Sequence, residues 1–139
     1  MVFNILICFL LGIGAISMLV GGIGIANTMY TSVLERQKEI GTMKAVGARN
    51  EDILSIFVIE SGILGLVGGG LGVIVGIIIS KGIEYTARVV FGVDMLRASM
   101  DPMIIFGSLA FAFVVGVLAG FLPSYQASKL RPVDALRYE

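Results

Sequence analysis

The stretch ERQKEIGTMKAVGARNED at residues 35–52 concentrates charge in a chain that otherwise has little of it. It holds eight of the 20 charged residues, since Lys and Arg number 10 and Asp and Glu number 10 in the 139-residue chain. Hydrophobic residues make up 57% of the chain and charged residues 14%, whereas a soluble domain is roughly 25% charged. The composition therefore indicates a membrane protein in which this stretch separates apolar segments.

Three apolar runs surround the charged stretch. Residues 2–31 and 102–128 contain no charged side chain, and residues 53–80 contain only Glu60. Each run exceeds the roughly 20 residues that a helix needs to span a bilayer. The first run lacks the basic amino-terminal region of a signal peptide and is longer than its usual apolar stretch of about 7–15 residues. We therefore predict an all-α integral membrane protein with three transmembrane helices, at about residues 3–31, 53–80 and 102–122.

The distribution of basic residues favours one orientation in the membrane. The segment 32–52 and the tail 123–139 together carry seven Lys and Arg residues, whereas the segment 81–101 carries three. Loops that are rich in Lys and Arg tend to remain in the cytoplasm. We predict a cytoplasmic segment at 32–52, an outer loop at 81–101 and a cytoplasmic tail with a short C-terminal helix, in a protein of the inner cell membrane.

The cytoplasmic segment has the pattern of an amphipathic helix. Its apolar residues recur at helical spacing near one face: Val33, Ile40, Met43 and Val46. Arg36 and Glu39 are three residues apart and can pair on the helix surface. Gly47 predicts the end of this helix, and Asn50, followed by two acidic residues, predicts the cap and the acidic first turn of the next one.

Small residues recur every four positions in the second and third spans. The rows are Ser61, Gly65 and Gly69; Gly68, Gly72 and Gly76; and Ser108, Ala112, Gly116 and Gly120. Such rows let the backbones of two membrane helices approach closely. Glycine is also simply more frequent in membrane helices than in soluble ones. We favour tight helix packing, against another span of this chain or against another subunit.

Enzymatic motifs are mostly absent. The chain has no histidine, its one cysteine (Cys8) lies in an apolar run, and no GxxxxGK[ST] phosphate loop occurs. Glu60 is an ionisable residue within a span, for which we favour a structural role over a proton or substrate relay. With a formal net charge of zero, nucleic-acid binding has no support. We predict a protein without a cofactor and without ATPase activity of its own.

Three motifs carry a family resemblance over nearly the whole chain: ER followed by EIG at 35–41, KAVGA at 44–48 and RPVDALRYE at 131–139. With these motifs the sequence resembles the FtsX/MacB/LolC-type permeases of ABC transporters. The resemblance implies four spans with a large extracytoplasmic domain between the first and second. This sequence would then begin at the second span, so we expect one helix and the outer domain to be missing or supplied by a separate chain.

The resemblance also implies a mechanism and a partner. The segment 35–49 is similar to a coupling helix that docks on a separate ABC ATPase, and its motion would be passed outward by the spans. The residues expected at the ATPase are Glu35, Arg36, Glu39, Ile40, Met43, Lys44 and Arg49. Two permease chains, identical or different, are expected to pair in the lipid bilayer. The alternative is a membrane scaffold that uses this charged segment to recruit another cytosolic protein.

Overall fold

The computed structural model describes residues 1–91 and 101–130, which form four helices and no strand. The helices are α1 (Val2–Glu35), α2 (Gln37–Ala45), α3 (Asn50–Phe91) and α4 (Pro102–Ser128). Three of them, α1, α3 and α4, are long and apolar enough to cross a membrane. The prediction of an all-α membrane protein with three spans is therefore confirmed. The predicted C-terminal helix lies outside the described residues.

The helix α3 is longer than the span predicted at 53–80. Its 42 residues correspond to about 63 Å at 1.5 Å per residue, about twice the thickness of a bilayer's hydrocarbon core. It continues to Phe91, through the first half of the predicted outer loop, where Arg88 and Glu84 pair at 3.3 Å. Lys, Glu and Arg favour helices, so charge marks the end of the apolar span but not the end of the helix.

A single residue separates α1 from α2. Arg36 leaves the helical conformation, with φ −101° and ψ 15°. Helical hydrogen bonding nevertheless continues across it, because its N–H donates to the Ser32 carbonyl and its carbonyl accepts from Ile40, both at 3.0 Å. The two helices are thus joined by a short kink and not by a flexible loop.

The turn between α2 and α3 follows the sequence pattern closely. Gly47 has a positive φ of 110°, and the N–H of Ala48 donates to the Met43 carbonyl at 3.0 Å. This is the hydrogen bonding of a Schellman motif, so the helix stop predicted at Gly47 is confirmed. The prediction that Asn50 caps α3 is wrong, because Asn50 is the first helical residue and the cap comes from Asp52, whose carboxylate accepts from the Arg49 N–H at 2.9 Å. The side chain of Asn50 is thereby available for another contact.

The helix α4 begins at a well-formed cap and runs past its internal proline. The Asp101 side chain accepts from the Met103 N–H at 2.9 Å, and Pro102 occupies the first turn. We predicted the end of this span at Pro123, but α4 continues to Ser128. Pro123 removes one N–H from the helix, and membrane helices tolerate this where neighbouring helices pack around the proline, as the burial of Pro123 indicates here.

The buried apolar core lies at the end of the bundle that carries α2. It contains side chains from all four helices: Met29 and Val33 of α1, Ile40 of α2, Ile53 and Phe57 of α3, and Ala127 of α4. Away from this end, α4 packs closely along α3, and most of α1 is exposed. An exposed apolar surface of this size suits a helix that faces lipid.

Candidate docking helix and its attachment

The helix α2 has one face turned toward the bundle and one face turned outward. Ile40 and Gly41 are buried, and Met43 packs against the core from a half-buried position. On the outward side Lys38, Glu39 and Thr42 are exposed, and Val46, just past the last helical residue, is 91% exposed. We call the outward set the docking face and define it as Glu35, Lys38, Glu39, Thr42, Val46 and Arg49.

Arg36 ties the α1–α2 kink to α3. Its Nε lies 3.0 Å from Glu39 Oε2 and its Nη1 lies 3.3 Å from Glu60 Oε2, while the guanidinium carbon lies 5.9 Å from the centre of the Phe57 ring. The hydrogen bond with Glu39 and the charge of Glu60 raise the pKa of Arg36. The guanidinium thus contacts two carboxylates and one ring, which fixes the kink against the first turns of α3.

The ion pair gives Glu60 a structural partner. The side chains of Arg36 and Glu60 are 44% and 38% exposed, so water screens their attraction. Exposed ion pairs of this kind contribute about 0.2–1 kcal/mol to stability. Glu60 therefore orients the kink more than it stabilises the fold.

Lys44 faces the opposite direction to the docking face. Its Nζ lies 2.6 Å from the Ser128 carbonyl, 2.8 Å from the Leu130 carbonyl and 2.8 Å from Asn50 Oδ1. The residue is half-buried, and burial lowers the pKa of its ammonium group. The lysine thus joins α2 to the start of α3 and to the end of α4.

One of the two glycine rows of α3 lies directly against α4. A Cβ atom at Gly65 would collide with the Ala112 carbonyl oxygen and lie 3.0 Å from the Gly116 Cα. A Cβ at Gly116 would collide with the Ser61 carbonyl in turn, and Gly69 and Gly120 face Ala112 and Ser61 respectively. The backbones of α3 and α4 are close enough that no larger residue fits without movement.

The second glycine row does not pack within the described chain. A Cβ at Gly68, Gly72 or Gly76 would have no described atom within 4 Å apart from its own helix. Gly62, which no small-residue spacing singled out, lies under the Phe113 ring. The two rows therefore have different surroundings, although their sequence patterns are alike.

The structure divides the predicted docking residues into two groups. Glu35, Glu39 and Arg49 are exposed, whereas Ile40 is fully buried and Lys44 points toward α4. Arg36 is exposed but pairs with Glu60 of α3, and Met43 packs half-buried against the core. Sequence reasoning did not include Lys38 in the docking set, although its charge and its place on α2 were available. The contact between Lys44 and α4 had no sequence signal, because its acceptors there are backbone carbonyls. Within the described residues no cluster of His, Cys, Asp and Glu could hold a metal ion.

Comparison with known proteins extends these observations. The family model described as FtsX-like permease C-terminal matches residues 11–132 of the chain. The chain belongs to this family. It is 46% identical over 138 residues to an uncharacterized ABC transporter permease of Methanocaldococcus jannaschii. It is 43% identical over 124 and 130 residues to the macrolide export ATP-binding/permease proteins MacB of Nitrobacter winogradskyi and Bdellovibrio bacteriovorus.

This chain spans about a third or less of the length of these relatives. The alignment with the archaeal permease covers 99% of this chain but 34% of the permease. The alignment with MacB of Nitrobacter winogradskyi covers 89% of this chain and 18% of that protein, and the alignment with MacB of Bdellovibrio bacteriovorus covers 94% and 19%. The family match includes most of α1, all of α2, the glycine rows and all of α4. The helix α2 and the packed helices α3 and α4 thus belong to the part of the chain that is shared with the relatives.

Proposed function

We propose that this chain is the part of an ABC transporter permease that relays movement across the membrane. In this proposal a separate ATPase binds the docking face, and nucleotide-driven movement of α2 passes through the helix bundle to the other side. The observation that carries the proposal is the attachment of α2 to all three long helices. Ile40, Arg36 and Lys44 make this attachment at one end of the bundle.

The charge distribution supports an orientation for this end. Seven of the ten basic residues belong to the segment around α2 or to the tail, which favours the cytoplasm as the location of the docking face. An ATPase that uses cytosolic ATP would reach α2 there. We place the protein in the inner cell membrane, with two permease chains and the surrounding lipid forming the complete assembly.

The helix surfaces favour relay of movement over passage of a solute between these helices. A groove of about 490 Å³ lies between α1, α3 and α4 and is lined by apolar side chains and glycines, with Ser17 as the polar exception. Intramembrane pathways for ions or polar solutes are normally marked by ionisable or polar residues. Work outside the membrane, such as export of an apolar compound or control of an outer protein, fits this surface better.

The names of the relatives allow two arrangements of the ATPase. The archaeal relative is named as a permease, and the MacB proteins are named as ATP-binding/permease proteins. We favour a separate subunit, because the relative named as a permease alone aligns with more of this chain, and at higher identity, than the MacB protein of Nitrobacter winogradskyi. Purification of the full chain from its native membrane tests this choice, with mass spectrometry identifying any retained ATPase.

A charge and shape change on the docking face is expected to release the ATPase. The double variant Lys38→Glu with Val46→Glu puts negative charge at two exposed positions of this face. We expect the affinity for the ATPase, and with it the amount retained, to fall at least about tenfold, which corresponds to about 1.4 kcal/mol of binding free energy. Neither side chain contributes to the buried core, so folding is expected to be unchanged. Retention is measured by affinity purification and immunoblotting.

The matched control is Lys81→Glu with Tyr85→Glu, two exposed positions on the far part of α3. We expect this variant to retain the ATPase in full. Equal retention by both double variants would contradict docking on α2. Retention of a protein that is not an ATPase, and its loss only from the α2 variant, would support the scaffold function instead.

A further inference from the structure

Lys44 is the charged side chain of α2 that points into the chain and not toward the docking face. Its ammonium group has three N–H donors, and the structure provides three acceptors at 2.6–2.8 Å. They are the amide oxygen of Asn50 at the start of α3, the carbonyl of Ser128, which is the last residue of α4, and the carbonyl of Leu130 just beyond it. A single side chain thus connects three helices.

The acceptors on α4 explain why a cation is held in this half-buried place. The last four carbonyls of a helix have no partner within the helix, and its C-terminus carries a partial negative charge. No described carboxylate lies within ion-pair distance of Lys44. The end of α4 therefore supplies the electrostatic complement that a carboxylate supplies in an ordinary ion pair.

Few other contacts can hold α2 to α4. Their backbones approach less closely than those of α3 and α4, and the described apolar contact between them runs through the core that contains Ile40 and Ala127. Apolar contacts are not directional, so they permit sliding and rotation that the two short hydrogen bonds from Lys44 to the Ser128 and Leu130 carbonyls resist. Lys44 is therefore the residue that sets the position of α2 along α4.

We propose that Lys44 is a positioning residue that makes the end of α4 follow α2, so that movement reaches α4 directly and not only through α1 and α3. This inference rests on the proposed docking of an ATPase on α2. It assigns to Lys44 a role in coupling within the chain, separate from binding of the partner.

The first test uses the full chain alone. Lys44→Met keeps the length of the side chain and removes the donors, so we expect amide hydrogen exchange at residues 124–130 to become at least about tenfold faster. Lys129→Met is the control, because Lys129 is exposed and its ammonium contacts a ring of α4 itself, 4.4 Å from the centre of Tyr125. Unchanged exchange in Lys44→Met, or an equal increase in both variants, would overturn the proposed link.

The second test uses the chain with its docked ATPase in lipid vesicles. Spin labels on Cys at positions 56 and 122, in a Cys8→Ser background, report the distance between the α2 ends of α3 and α4, because Ile56 and Leu122 are both exposed. We expect addition of ATP and vanadate to shift this distance by about 1–5 Å in the unaltered chain. In Lys44→Met the ATPase should still bind and hydrolyse ATP, but the shift should be lost.

The outcomes separate the two proposals. Binding and hydrolysis with a full shift in Lys44→Met would overturn the role of Lys44 while leaving docking intact. Absence of ATPase from the unaltered chain would contradict docking, and the exchange experiment would still decide the link between α2 and α4. If Lys44→Met does not fold, Lys44→Arg replaces it in the same experiment. The planar guanidinium keeps a positive charge near α4 but cannot make the same three hydrogen bonds as the ammonium group. A full change in the label distance in Lys44→Arg would overturn the positioning role of Lys44.

Discussion

Gly65→Leu is expected to separate α3 from α4 and to lower the free energy of unfolding by about 2–3 kcal/mol. Even a methyl group at this position would meet the carbonyl oxygen of Ala112 and the backbone of Gly116. Neither is the end of a flexible side chain, so the helix backbones themselves must move apart. The measurement is SDS-induced unfolding of the purified chain in mild detergent, followed by circular dichroism.

Gly72→Leu is the matched control for this substitution. It places the same side chain on the same helix, seven residues away, where no described atom lies within 4 Å of a new Cβ apart from the helix itself. We expect its effect on stability to stay within about 0.5 kcal/mol. Equal destabilisation by the two variants would contradict the different surroundings of the two glycine rows, because Gly72 would then also be packed.

Ile40→Ala is expected to loosen α2 from the bundle and to cost about 2–5 kcal/mol of folding free energy. Ile40 is fully buried where all four helices meet, so its truncation leaves a cavity that the surrounding helices can fill only by shifting. Amide hydrogen exchange should become faster throughout α2 in this variant. The same unfolding titration measures the change in stability.

Ile56→Ala provides the comparison for Ile40→Ala. The substitution removes the same atoms from α3, but Ile56 is 46% exposed and leaves no enclosed cavity. We expect a loss well below that of Ile40→Ala and no faster exchange in α2. A stable Ile40→Ala protein with unchanged exchange in α2 would show that the core does not hold the docking helix.

The architecture could be predicted from sequence wherever a local rule decided it. Three apolar runs, each long enough to cross a bilayer as a helix, predicted the three spans. Gly47 predicted the end of α2, and its φ in the structure is positive, as this kind of helix end requires. The rule for Pro123 gave the wrong end for α4, because the helix continues to Ser128 with the proline buried against its neighbours. Local rules thus located the elements better than their ends.

The candidate site was less predictable because its contacts join distant parts of the chain. Ile40 has the spacing of an amphipathic helix, but spacing alone does not show whether its apolar face meets a partner or the chain's own helices. The two glycine rows of α3 have the same pattern, and only the structure shows that α4 lies against Gly65 and not against Gly72. Lys44 binds main-chain carbonyls 84 and 86 residues away, which no side-chain pattern encodes.

The most direct test of a relay is movement at the end of the bundle that is far from α2. Spin labels on Cys at positions 85 and 104, both exposed in the described structure, report the distance between the far ends of α3 and α4. With the ATPase docked in vesicles, we expect this distance to differ by about 1–5 Å between the nucleotide-free and ATP-bound states. The difference should vanish in Lys38→Glu with Val46→Glu. An unchanged far-end distance while the docked ATPase hydrolyses ATP would contradict the relay of movement through these helices.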